Sequence, residues 1–140
     1  NNVLTFVAAS DDVIIVTTPE PTAITDAYGI VKIIATEIDN IDLGLKLVVN
    51  RVKSVTEGRK VAERVINIAG QFLNIKLDYL GFVYEDAVVQ NAVIRQRPFL
   101  SLDPKGKASI CIDHIVRRLE NIDFKEGGGI SKFLKKLFGP

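Results

Sequence analysis

The chain has 140 residues, 47% of them hydrophobic and 25% charged, with a formal net charge of +1 and one cysteine. That is long enough for one domain with a buried core, too apolar for general disorder, and too near neutrality for a general nucleic-acid binder. A lone Cys111 excludes an internal disulfide framework, and no apolar run approaches the roughly 18 to 20 residues of a spanning helix.

The N-terminus has no basic region followed by an apolar one, so the expectation is an intracellular protein, neither secreted nor transmembrane. The absence of methionine, even at position 1, adds the expectation that the chain is a piece of something longer.

Residues 3 to 9 read as the end of a preceding helix. Asp12 to Thr18 (DVIIVTT) is then a continuous β-branched run, the pattern of a strand covered on both faces in a parallel sheet. Pro19 and Pro21 keep the backbone extended after it. Thr22 is placed to cap a helix reaching about Ile38, with Asp26 in its first turn where a carboxylate suits the dipole. The pattern repeats with a second strand, Gly44 to Val52 (GLKLVVNRV), and a second helix, Thr56 to Leu73. Its expected core face is Val61, Ala62, Val65, Ile66, Ala69, Phe72 and Leu73. Lys76 to Tyr84 is a third strand containing Gly81, followed by a short helix from Asp86 to Arg95 and an irregular stretch from Pro98 to Pro104. A last helix from about Lys105 to Leu119 would bury Ala108, Cys111, Ile112, Ile115, Val116 and Leu119, with Arg117 and Arg118 at its solvated end.

Strands alternating with helices at this spacing predict the α/β class: a parallel sheet with flanking helices, joined by right-handed crossovers. Three apolar strands make a narrow sheet with exposed edges. Further strands from an absent N-terminal half are therefore expected, or else pairing or swapping with a second copy.

Beyond the triple glycine Gly127 to Gly129, the residues Ile130, Phe133, Leu134, Leu137 and Phe138 recur at i, i+3, i+4, i+7 and i+8, one apolar helical stripe. Lys132, Lys135 and Lys136 flank it. Residues 125 to 140 hold four Lys and one Glu, leaving the rest of the chain with fourteen basic and sixteen acidic residues. A short basic amphipathic helix on a flexible tether suits an anionic bilayer surface. The competing reading packs the same stripe on the domain itself or in a partner's groove. One copy would bind lipid weakly and reversibly, and two copies in a dimer far better.

In open parallel sheets ligands sit beyond the carboxyl ends of the strands. The polar residues there are Thr17 to Glu20, then Asn50 and Arg51, then Glu85 and Asp86. Asn50 offers an amide donor and acceptor to a base edge, or caps a turn; Asp86 contacts a ligand, or caps a helix. Cys111 and His114 lie three apart on one helix, but two ligands do not make a metal site, and both are read as structural.

Four segments then carry a resemblance: Thr17 to Tyr28 (TTPEPTAITDAY), Leu47 to Val52 (LVVNRV), Leu80 to Asp86 (LGFVYED) and Gln96 to Phe99 (QRPF). In this order they resemble successive landmarks of the MinD/ParA family of deviant-Walker ATPases, the first most resembling that family's flagellar-number regulators. The tail KFLKKLFG is similar to the membrane-targeting helix of MinD-type proteins. The resemblance implies the C-terminal part of a Rossmann-like P-loop NTPase fold over residues 1 to 122, a Gly-rich tether over 123 to 129 and a membrane helix over 130 to 138.

The same resemblance implies that Asn50 contacts adenine with Arg51 beside it. The loop at Asp86, Val89 and Gln90 would close over the base, although Tyr84 stands where the family usually has proline. It also implies a parent protein that binds ATP and Mg2+, dimerises, and attaches reversibly to the inner face of the cell membrane. Such a protein would position or count a cell structure, the flagellum or the division site, under an unidentified protein regulator and without a specific nucleic acid.

The family's KGGxGK[TS] phosphate loop, its signature lysine and its Mg2+ carboxylates have no counterpart in these residues. Lys105-Gly106-Lys107-Ala108-Ser109 lacks the upstream glycine and the required order. The chain alone is therefore expected to be catalytically inactive and to hold no cofactor tightly. The rival reading is a non-catalytic α/β interaction module whose basic tail binds membrane or a protein partner.

Overall fold

The computed structural model describes residues 2–38 and 44–126. Gly127 to Gly129 and the amphipathic stripe, Ile130 to Phe138, lie outside the described residues, whereas residues 123 to 126 of the expected tether continue α6.

The elements run α1 (Asn2–Ala9), β1 (Asp12–Thr17), α2 (Pro21–Glu37), β2 (Gly44–Val52), α3 (Val55–Leu73), β3 (Asp78–Tyr84), α4 (Ala87–Arg95), α5 (Phe99–Leu102) and α6 (Lys107–Glu126). The strands form one parallel sheet in the order β1-β2-β3. This is the α/β architecture that the alternation predicts.

Side-chain alternation along β2 divides the interior into two cores. Leu45, Leu47 and Val49 point to one face, where Ile15 of β1 joins Val31 and Ile34 of α2 and Val61, Val65 and Ala69 of α3. Val48 points to the other face and packs with Leu80 and Val83 of β3 under Ala108, Cys111 and Ile115 of α6. A strand covered on both sides has no solvated face, which is why GLKLVVNRV reads as a nearly continuous apolar run.

The exception in that run is Lys46. Its side chain is only 4% exposed, and its ammonium meets Asp12 Oδ1 of the adjacent strand at 2.7 Å. A buried lysine persists only with such a partner.

β3 carries a bulge. Leu47 is opposite Tyr79 but Val48 is opposite Gly81, so Leu80 is the extra residue. The Leu80 carbonyl accepts a hydrogen bond from Arg118 Nη1 at 2.9 Å. Arg118 therefore reaches back into the sheet and is not part of a solvated helix end; Arg117 does stay outside, paired with Asp113 at 3.1 Å. Gly81 lets α6 come close: a Cβ built there would lie 2.9 Å from Ile115 Cγ1.

Several boundaries differ from the expected ones. α2 starts at Pro21 with Glu20 as its N-cap residue and no side-chain cap, so Thr22 lies inside the first turn. A proline at the first helical position lacks the N–H that would otherwise need a partner. β3 starts at Asp78, and α5 orders part of the stretch expected to be irregular. α6 continues past Leu119 to Glu126, because nothing between them breaks a helix. Phe72 is 71% exposed and Val116 is 44% exposed, so both lie outside the cores assigned to them. Phe72 shares the angular face of Val61 and Val65 but lies in the last turn of α3, which ends at Leu73.

Candidate functional site

At the carboxyl end of the sheet, β2 departs from its ladder. Val49 pairs with Phe82 and Val52 with Tyr84, so Asn50 and Arg51 together face the single residue Val83. Arg51 takes up the extra length in a left-handed conformation, with φ of 58°. For a residue with a side chain this costs about 1 kcal/mol, and such strain collects at ligand sites.

The surroundings offset the cost. Asn50 Oδ1 accepts the Arg51 main-chain N–H at 2.8 Å. The Arg51 guanidinium meets Glu20 Oε1 at 3.5 Å and Glu85 Oε1 at 3.3 Å. Val52 O accepts the Glu85 N–H at 2.9 Å. One residue thus ties together the segments following all three strands.

A pocket of about 270 Å³ opens here, lined by Thr18, Pro19, Glu20, Arg51, Lys53, Glu57 and Glu85. Its α3 side is built by a capping arrangement. Ser54 Oγ accepts the Glu57 N–H at 3.1 Å, and Glu57 Oε1 accepts the Lys53 N–H at 2.9 Å. Glu57 is therefore committed to starting α3, whereas Glu20 and Glu85 are committed to Arg51.

The expected site residues separate into two groups. Asn50, half-buried, and Arg51 lie in the irregularity near the end of β2, and of the two only Arg51 lines the pocket. Asp86 is occupied in helix capping: Oδ1 accepts the Val88 N–H at 3.1 Å and Oδ2 accepts the Ala108 N–H at 3.2 Å. It joins the starts of α4 and α6, so of its two sequence readings the cap is the one displayed. Val89 packs against the α6 core, and Gln90 is exposed. None of Asp86, Val89 and Gln90 lines the pocket that holds Arg51. Tyr84 packs edge-on against Phe82 with ring centroids 5.1 Å apart.

Glu20 and Glu85 are legible in the sequence as strand-end residues, but their pairing with Arg51 is not. The missing signal is the bulge, which turns the arginine toward them and leaves no mark in a β-branched run.

The pocket offers an ion-paired guanidinium and a rim of carboxylates, with the Asn50 carboxamide next to it in sequence. That equipment recognises the polar edge of a ligand.

No protein-family model matches the chain. Individual relatives do. Antiactivator FleN of Pseudomonas aeruginosa is 31% identical over 98% of this chain and 49% of its own length. Flagellum site-determining protein YlxH of Helicobacter pylori is 34% identical over 94% of this chain and 46% of its own. Septum site-determining protein MinD of Bacillus subtilis is 31% identical over 95% of this chain and 50% of its own. The chain thus spans about half the length of the curated relatives it matches.

Among solved structures, the MinD cell division protein of Aquifex aeolicus superposes with a TM-score of 0.63 at 27% identity, covering 82% of this chain and 46% of that one. MinD of Pyrococcus horikoshii, solved with Mg-ADP, gives 0.60 at 16% identity over 81% of this chain and 43% of that one, a likeness of fold alone. The parallel sheet, the landmarks in their order and these matches along nearly the whole sequence agree: the chain belongs to the MinD/ParA family and corresponds to the C-terminal part of its members.

Proposed function

We propose that this chain supplies the adenine side of a nucleotide site, part of a dimer surface and a membrane anchor to a MinD-type ATPase that positions a cell structure. The observation that supports the reading is the strained irregularity at the carboxyl end of β2, which holds Asn50 and Arg51 at the end of the sheet where open parallel sheets bind their ligands. Two of the relatives are named for determining the site of a flagellum or a septum, and a similar fold has been solved with Mg-ADP. ATP and Mg2+ are accordingly the ligands of a protein in which this chain is joined to a phosphate-binding half. Asn50 and Arg51 would meet the base, and the segment from Asp86 through Val89 to Gln90 would border it.

The anchor belongs to residues 130 to 138. Its apolar stripe with flanking lysines would lie in the interface of an anionic bilayer at the cytoplasmic face. Among the described residues no helix is long and apolar enough to cross a membrane.

Co-sedimentation with vesicles containing anionic lipid tests the reading. Replacing Phe133→Asp and Leu134→Asp together is expected to lower vesicle binding more than about tenfold, since each buried apolar side chain contributes about 1.5 to 3 kcal/mol. Unchanged binding would remove the anchor. In the protein joined to its phosphate-binding half, ATP should increase vesicle binding relative to ADP, as dimerisation doubles the anchors; equal binding would remove the nucleotide-driven cycle.

A further inference from the structure

We propose that the corner formed by α4 and α5 is a second contact with an anionic membrane, set at the opposite end of α6 from the tail. The inference extends the reading of residues 130 to 138 as an anchor.

Two observations coincide at this corner. Val93 and Ile94, adjacent in the last turn of α4, are 72% and 79% exposed, the second being the highest value for a large apolar side chain among the described residues. Leu100 of α5 is exposed as well. Arg95, Arg97, Lys105 and Lys107 are exposed on the same stretch of chain. Residues 91 to 110 hold these four basic residues and one acid, Asp103, in a chain whose net charge is only +1.

The backbone folds back on itself to build the corner. Gln96 takes the left-handed conformation at φ 52°, and Ala92 O accepts the Arg97 N–H at 3.0 Å, which ends α4 and brings α5 against it. Val89 of α4 and Phe99 of α5 both pack into the core beneath α6, and Asp86 ties the starts of α4 and α6 together. The corner and α6 therefore share one face of the sheet. With 20 residues, α6 is about 30 Å long, and the tail follows its far end.

Exposed apolar side chains alone would suit a second copy of the chain equally well. The surrounding positive charge favours an anionic bilayer, whose headgroups meet the cations while the apolar pair enters the acyl boundary. Contacts at both ends of one helix would fix the orientation of the domain on the membrane, which a single anchor cannot do.

The test is co-sedimentation of the full chain with vesicles of phosphatidylglycerol and phosphatidylcholine, and with phosphatidylcholine alone. Arg95→Gln with Arg97→Gln should lower binding to the anionic vesicles about tenfold. Val93→Gln with Ile94→Gln should lower it about fivefold. All four side chains are exposed, so the melting temperature should not move. An environment-sensitive dye on Ile94→Cys, attached selectively because Cys111 is buried, should shift to the blue on anionic vesicles. Unchanged binding in either double variant, an equal loss on both kinds of vesicle, or a dye that stays in water overturns the inference and leaves the anchor standing. The anchor is read separately with Phe133→Asp and Leu134→Asp: binding equal to that of the unaltered chain removes the anchor, while the corner is still decided by its own variants.

Discussion

Two polar side chains show how differently burial can be met in one small fold. Asp86 gives one carboxylate oxygen to the start of α4 and the other to the start of α6. Removing a single N-cap costs about 0.5 to 2 kcal/mol. Asp86→Ala should therefore destabilise by roughly 1 to 3 kcal/mol, read as a lower urea midpoint with an unchanged slope. Asp86→Asn keeps one oxygen and should lose less.

Tyr79 is the opposite case. Its hydroxyl is shielded from water and has no hydrogen-bond partner among the described residues. Gly58 makes room for it, since a Cβ there would lie 3.0 Å from the hydroxyl oxygen. Burial raises the pKa of the phenol, opposed by the nearby Arg118 charge and reinforced by Cys111. The folded state thus holds the proton more tightly than the unfolded chain does. The stability this contributes is complete below the unfolded value of about 10 and is lost as pH rises toward the folded one. Tyr79→Phe should be neutral or stabilising by up to about 1 kcal/mol at pH 7, because it removes an unpaired hydroxyl. It should also flatten the fall in melting temperature above about pH 10, measured beside the unaltered chain; an equally steep fall would show that other groups govern that limb.

At the level of elements, two irregularities in the pairing of β2 with β3 have separate purposes. The bulge at Leu80 frees a carbonyl that Arg118 then satisfies, locking α6 onto the sheet edge. The extra length at Asn50 and Arg51 turns the end of β2 toward the pocket. The first depends on Gly81. Gly81→Ala would press a methyl group against Ile115 Cγ1 and crowd Arg118 Nη1, at 2.9 and 3.2 Å. Overpacking of this sort costs about 1 to 3 kcal/mol. A chemical denaturation curve should show that loss, and amide exchange in α6 should quicken more than exchange in α2; uniform acceleration would mean that α6 is not held chiefly by this contact.

For the molecule as a whole, the two faces of the sheet are covered unequally. α2 and α3 cover one face, including Ile15 of β1, while α6 packs against β3 on the other. Ile14 and Val16 point to the α6 side by alternation and are 43% and 60% exposed. An uncovered apolar strand face favours association, either with further chain or with a second copy. In sedimentation experiments the chain should therefore self-associate. Val16→Lys should weaken that association about tenfold or more, given about 1.5 kcal/mol for each valine withdrawn from water. Self-association unaffected by the charge would place the contact elsewhere.

How much of this was legible beforehand follows from where the information lies. The three strands, their parallel pairing and the helices between them were readable, because a strand buried on both faces must be apolar throughout and a crossover helix must be apolar on one side. Asn50 and Arg51 were readable as site candidates because they end such a strand. The double cap by Asp86 was not, since Ala108 is distant in sequence and only packing brings α6 beside α4. Nor was Arg118, whose acceptor exists only because a bulge leaves the Leu80 carbonyl unpaired. The sequence by itself determined the class of fold and the order of its elements, both consequences of local periodicity, and which polar residues fall at the carboxyl ends of the strands. Which of the polar groups at that end meet one another was decided by the tertiary structure alone, because strand register and helix docking are set by contacts between residues far apart in the chain.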